Sequence, residues 1–427
     1  MTTPSSTAST TMSSHFSVIH RYFAAFGSGN IDAALALMTD DVIWHIDGEL
    51  SVSTVGILRG REQVRGWLEA FPSDFKPQEF TVSQLFESGD TVLALGRFRH
   101  TVLTTGNIIG SDYVIRFEMR EGLIAHYQIF EDSALLARAF DPADRFEQQR
   151  IRINGNVYAY TDVGTGPTII FAHGLFLDRS SFDQQVAVLS QNYRCIVLDM
   201  PGHGESGVFP PQWTLDDIAN DIALLVQVLA LGKVILVGQS QGGMMGIRLA
   251  ALHPDVVSHL ILVGTSARAE FAERITYWNH LLHIVSQGAE TERMAAFAAV
   301  QKRLCPAQWL SDNPELAKHE IDIMLSHDRV GIAHAIAAAT INRTDVRDLL
   351  KKITIPTLVV CGEQDQATPL MLSQEMADLI PNATLHVLAH VGHHPQLEEG
   401  VALLSAMERF LHDKDEYERK ISVRTGR

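Results

Sequence analysis

Two textures of apolar and polar patterning divide the chain, one over 15–140 and one over 150–413. In the first, Phe16, Ile19, Tyr22, Phe23 and Phe26 recur at helical spacing, and the breaker GSGN ends the run. IDAALALM follows, then VIWHID and a helical REQVRGWLEAF. Four β-rich runs come next: EFTVSQLFES, DTVLALGRFRHTV, IGSDYVIRFEMR and LIAHYQIFED. Ser88-Gly89-Asp90, Thr105-Gly106-Asn107 and Glu121-Gly122 separate them, as hairpins require. Helices followed by a meander of long strands predict an α+β domain with an antiparallel sheet curled around the helices.

The second texture alternates strands with helices. TIIFAHG, RCIVLDM, KVILVG, HLILVG, PTLVVCG and TLHVLAH are short, continuous apolar runs, the pattern of strands buried on both faces. Helical segments between them predict a mostly parallel sheet covered on both sides, an α/β architecture. The span of about 268–345 is helical and too long for one crossover, so it predicts an inserted helical cap.

Composition narrows the function classes. Hydrophobic residues are 46% of 427 and charged residues 20%, a globular profile. A net charge of −16 repels phosphate backbones and anionic lipid, which argues against nucleic-acid and membrane partners. Residues 1–14, MTTPSSTASTTMSS, have neither the basic start nor the apolar stretch of a signal peptide and read as a disordered tail. DPADRFEQQR (141–150) reads as a linker, and 414–427 as a charged tail. Cys195, Cys305 and Cys361 show no paired spacing, so neither disulfides nor a cysteine metal site is expected, and a reducing cytoplasm is the expected location.

The chemistry concentrates in KVILVGQSQGGMMGIRLAALHP, where a strand runs into Gly238-Gln239-Ser240-Gln241-Gly242 and a helix follows. G-x-S-x-G on a strand–turn–helix is a nucleophile elbow, whose tight turn demands glycine two residues either side of the serine. A serine hydroxyl needs a base, and the base an orienting acid, in the chain order Ser, acid, His. VVCGEQDQATP offers Asp365 at a loop tip, with Glu363 as an alternative. AHVGHHPQLEE offers His393, with His390 and His394 as alternatives. Both loops follow strands, at the carboxyl ends where α/β sheets gather their sites. The amides of Leu175, after His173-Gly174, and of Gln241 are expected to form the oxyanion hole, while Phe176, Met244 and Trp278 are candidate pocket residues. His280-x-x-His283 and His390-x-x-His393 lack a third ligand, so no metal and no cofactor is expected.

Together these residues resemble the α/β-hydrolase superfamily over about 150–413. Four motifs agree in order: His173-Gly174, LDMPGHGESG, GQSQGG, and the pair GEQDQATP with GHHPQLEE. HGLFLDRSSFDQQ looks like cofactor-free esterases, enol-lactonases and perhydrolases. The first stretch resembles the SnoaL/NTF2-like group, an α+β cone, on its order of elements and on WHIDG and YQIFED. Its departures, Ile129 and Arg99-x-Thr101 where the limonene epoxide hydrolase pattern has catalytic residues, weaken an epoxide-hydrolase role. Trp44, His45, Asp47, Asp112 and Tyr127 are its candidate pocket residues.

The resemblance implies a serine hydrolase cleaving a carboxylic ester or lactone of a small apolar substrate. A C–C bond hydrolase, a perhydrolase or a ligand-binding receptor with weak turnover are the alternatives. The first domain is expected to mediate homodimerisation, to lend surface to the hydrolase cleft, or to run a second step, in that order.

Overall fold

The structure, a computed structural model, describes residues 14–50, 52–140 and 148–425. All but the last residue of the expected tail over 1–14 and most of the linker over 141–150 lie outside the described residues, as do the side chains of the expected charged tail over 414–427. The chain forms two compact units, Met1–Glu147 and Gln148–Arg427.

The first unit opens with helices Ser14–Gly27 and Ile31–Leu35, the second capped by Asn30, whose Oδ1 accepts from the Ala33 amide at 3.1 Å. Strands β1 (Met38–Ile46) and β2 (Gly56–Arg59) precede helix Gly60–Asp74. β3 (Phe75–Ser88), β4 (Thr91–Val102), β5 (Ile108–Arg120) and β6 (Leu123–Phe130) form the meander. The strand order is β2-β1-β6-β5-β4-β3. The sheet is not wholly antiparallel as expected: β1 runs parallel to β6, with Ile46 opposite Ile129. A helix and four strands separate these two in the chain, so no hairpin forces them to alternate. The helical stripe that begins at Phe16 buries Ile19 and Tyr22 against Trp44, Phe117 and Tyr127 of the sheet. β2 and helix Ser133–Phe140 were not apparent from the pattern, because both are short and half exposed.

The second unit contains β7 (Gln148–Ile153), β8 (Asn156–Val163), β9 (Thr168–Ala172), β10 (Arg194–Leu198), β11 (Val234–Gln239), β12 (Val257–Val263), β13 (Thr357–Gly362) and β14 (Ala383–Leu388). Their order is β14-β13-β12-β11-β9-β10-β8-β7. The six predicted apolar strands are all parallel, and β7 and β8 add an antiparallel edge. Both faces are covered. On β9, Ile170 and Ala172 enter one apolar cluster while Ile169 and Phe171 enter another on the opposite face. This two-sided burial is why these strands read as unbroken apolar runs. The cap lies between β12 and β13 and comprises helices Ala272–Gln287, Glu290–Leu304, Ala307–Asp312, Pro314–Ser326 and Arg329–Ile336.

Candidate active site

Ser240 occupies the turn between β11 and helix Gln241–Leu252, with φ 47° and ψ −112°. That conformation is unfavourable for a residue with a Cβ, by about 1–3 kcal/mol, and the turn persists because its surroundings leave no alternative. A Cβ on Gly242 would lie 2.0 Å from the Ala172 carbonyl oxygen of β9. One on Gly238 would lie 2.6 Å from the carbonyl of Gly242. The two glycines therefore let strand and helix close on each other and lift the serine hydroxyl above the sheet.

Asp365 and His393 follow β13 and β14 and converge on Ser240. His393 Nδ1 lies 2.8 Å from Asp365 Oδ2, and its Nε2 lies 3.0 Å from Ser240 Oγ. All three residues are buried. Asp365 also accepts from the amides of Ala367 and Thr368 and from the Thr368 hydroxyl, each at 2.8 Å. Burial works against its charge, but His393 and these bonds outweigh burial and hold the carboxyl below the usual range. An ionised Asp365 only accepts, so the Nδ1 of His393 carries the hydrogen and Nε2 is left to accept from Ser240.

The rival residues go elsewhere. Glu363 accepts from the His390 amide at 3.1 Å, and the His390 side chain is exposed. His394 is buried and pairs with Glu320 of the cap at 2.6 Å. Cys305, Glu320 and His394 cluster with metal-type donor atoms, but a 2.6 Å contact between His394 and Glu320 fits a direct ion pair better than two ligands around one ion. His280 and His283 are exposed on the cap.

The loop after β9 closes the other side. A Cβ on Gly174 would lie 3.0 Å from Ser240 Cβ, so the backbone there abuts the serine. Next to Leu175, Phe176 adopts φ 75° and is held by two histidines. Its amide donates to His203 Nε2 at 3.1 Å, and its carbonyl lies 3.0 Å from His327 Nε2. Burial first, then the neighbouring imidazoles, keeps both histidines neutral. Gln241 begins the helix, so its amide is among those with no partner within the helix.

Leu175, Phe176, Ser240, Gln241, Met244, Trp278 and His393 all line one cavity, so of the catalytic, oxyanion and substrate residues expected in this unit only Asp365 lies outside it. Cap residue Phe271 lines it too, while Phe297 packs behind Phe176 at 5.5 Å between ring centroids. The wall is not wholly apolar. Glu270, Arg274 and Arg343 also line it, and sequence reasoning missed them. The i, i+4 spacing of Glu270 and Arg274 was the only signal available.

The first unit holds a separate cavity lined by Tyr22, Trp67, Phe98, His100, Tyr127 and Glu131 among others. Of the expected pocket residues only Tyr127 is there. Trp44 stacks on Tyr127 at 3.7 Å within the core, His45 pairs with Asp47, and the exposed Asp112 pairs with Arg97. Ile129 lines the cavity, while Arg99 and Thr101 bond Gln78 outside it. His100 and Glu131 went unnoticed. Burial lowers the His100 imidazole to about 4 and raises the Glu131 carboxyl to about 7.

Comparison with known proteins agrees with this geometry. Residues 167–400 match the model of the alpha/beta hydrolase fold, and residues 19–127 that of the SnoaL-like domain. The chain is 30% identical over 234 residues to a Serratia proteamaculans protein named as a candidate carbamate hydrolase, RutD, covering 54% of this chain and 86% of that one. It is 28% identical over 268 residues to 3-oxoadipate enol-lactonase 2 of Acinetobacter baylyi, covering 62% and 95%. Among solved structures, a thermophilic esterase from Thermogutta terrifontis superposes with a TM-score of 0.58 at 30% identity, covering 62% of this chain and 98% of that one. The enol-lactonase from Burkholderia xenovorans LB400 gives 0.57 at 27% identity, covering 62% and 100%. No described helix is long and apolar enough to cross a membrane. With a family match over more than half its length and an elbow, a sheet and a cap of the matching kind, this chain belongs to the α/β-hydrolase fold family and carries a SnoaL-like domain ahead of it.

Proposed function

We propose that the second unit is a serine hydrolase cleaving a carboxylic ester or lactone through an acyl-enzyme on Ser240. The observation that carries this reading is the unbroken chain of contacts from Asp365 through His393 to Ser240, opening into the cavity. Relatives named as esterase and enol-lactonase support the same bond class.

In this reading Ser240 Oγ attacks the carbonyl carbon and its proton passes to His393 Nε2. Asp365 fixes the imidazole tautomer and stabilises the imidazolium. The amides of Leu175 and Gln241 donate to the tetrahedral oxyanion, each worth ~10²–10³ in rate. His393 then protonates the departing alkoxide as the C–O bond breaks. Water, deprotonated by His393, attacks the acyl-enzyme; the acid leaves and Ser240 recovers its proton. In a lactone the protonated hydroxyl remains part of the acyl chain, and the second step frees a single hydroxy acid.

A panel of short-chain 4-nitrophenyl esters and lactones tests the proposal. Ser240→Ala should lower kcat by at least about 10⁴-fold on whichever members are turned over. Retained turnover in that variant would sink the proposal.

A further inference from the structure

The cavity wall carries a charge pattern that ester cleavage does not require. The Arg343 side chain is only 7% exposed and reaches into the region just past the elbow. Its Nη1 donates to the Ala339 carbonyl at 2.7 Å and stands 3.2 Å from Met244 Sδ, one helical turn from Ser240. Its Nε donates to the Arg268 carbonyl at 2.9 Å. Its Nη2 faces the Glu270 carboxylate at 3.7 Å, beyond hydrogen-bond reach. Glu270 is already committed elsewhere: Oε1 accepts from the Phe271 amide at 2.9 Å and Oε2 from Trp278 Nε1 at 3.1 Å. Arg274 stands 3.9 Å from Glu270 Oε1, donates to the Ala367 carbonyl at 2.8 Å, and covers the Phe271 ring at 4.9 Å.

The charged wall residues are thus two arginines and one glutamate, an excess of one positive charge in a space walled by Phe176, Phe271 and Trp278. An isolated buried cation is costly, and proteins normally satisfy it with a partner. Burial already depresses the Arg343 guanidinium to about 10, with Glu270 only partly offsetting that effect, yet it stays cationic at neutral pH. A planar guanidinium with an uncommitted edge is suited to a carboxylate.

Resting on the serine-hydrolase reading, we propose that this enzyme prefers esters or lactones carrying a second, free carboxylate, which Arg343 anchors through Nη2 while Ser240 attacks the scissile carbonyl. The Ala339 and Arg268 carbonyls hold Arg343 in place, and the cavity rather than the triad selects the substrate.

The test compares 4-nitrophenyl monoesters of dicarboxylic acids of increasing length with neutral acyl esters of equal length. At one length the wild-type protein should favour the carboxylate ester by about 10- to 100-fold in kcat/KM, the range of a charge-assisted hydrogen bond. Arg343→Met should collapse that ratio toward one, and Glu270→Gln should raise it by removing the competing charge. Equal turnover of charged and neutral esters at every length by the wild type overturns the proposal without needing a variant that folds. An equal loss on both ester classes in Arg343→Met overturns it too, since that marks the cluster as a cap brace. Ser240→Ala retaining turnover would instead overturn the underlying serine mechanism, so the two failures are distinct.

Discussion

His394 Nδ1 lies 2.6 Å from Glu320 Oε1, a buried ion pair that joins the His393 loop to the cap helix Pro314–Ser326. Gln301 donates to the same carboxylate, and the His393 amide donates to the Leu304 carbonyl at 2.8 Å. Burial opposes both charges, but each partner outweighs it, so the His394 imidazole is raised and the Glu320 carboxyl lowered. The pair's contribution is complete above the ordinary carboxyl range and below the ordinary imidazole range, about pH 5 to 6.5. It is lost as pH rises through the raised His394 value or falls through the lowered Glu320 value. Glu320→Ala should therefore cost about 3–5 kcal/mol near pH 6 and clearly less at pH 9, read by denaturant unfolding at both pH values. A pH-independent loss would show that the two side chains are merely packed.

Phe176 supplies a second prediction. Its left-handed backbone is pinned by His203 on one side and by His327, from the cap, on the other. That backbone carries the Leu175 amide assigned to the oxyanion. His327→Phe should lower kcat by about 10- to 100-fold, because a displacement of an ångström is enough, and KM should change little. His327→Gln, which can still donate to the Phe176 carbonyl, should recover part of the loss. Steady-state kinetics on one ester decides it, and a change confined to KM would contradict the assignment.

Gly242 tests the elbow itself. Any side chain there meets the Ala172 carbonyl. Gly242→Ala should either abolish folding of the second unit or move Ser240 enough to lower kcat by about 100-fold. Circular dichroism with a kinetic assay distinguishes the two. A stable, fully active variant would contradict the packing described.

Glu131 gives a prediction for the first unit. Burial in its aromatic cavity raises the carboxyl to about 7, with Asp132 adding to the effect. The folded state thus holds this proton more tightly than the unfolded chain does. The resulting stability is full below the ordinary carboxyl range and disappears as pH rises through 7. Glu131→Gln should stabilise the unit at pH 8, by about 1 kcal/mol or a few degrees of Tm, and have little effect at pH 4. The difference in Tm between the two pH values is the readout.

Much of this site was legible in the sequence because each part is local. Ser240 sits within five residues that fix its own turn, and Asp365 and His393 each follow an apolar strand directly. What the sequence left open was which neighbour would point inward. The fold settles that, because Glu320 of the cap takes His394 and the exposed His390 keeps Glu363. Arg343 and Glu270 escaped notice because the two ends of the cap bring them together, and no spacing along the chain encodes that meeting. His100 and Glu131 escaped for the same reason, since β4 and the loop after β6, with β5 between them, deliver them to one cavity. Strands β7 and β8 lacked the unbroken apolar run because β7 is an edge strand and much of β8 is only half-buried.

Covalent chemistry at Ser240 is read out by intact-protein mass spectrometry after treatment with a fluorophosphonate, followed by peptide mapping. A serine hydrolase of this kind should give one adduct per chain, located on Ser240, with hydrolysis lost in proportion to labelling and no adduct in Ser240→Ala. An adduct on another residue, or hydrolysis that persists once Ser240 is fully labelled, would contradict it.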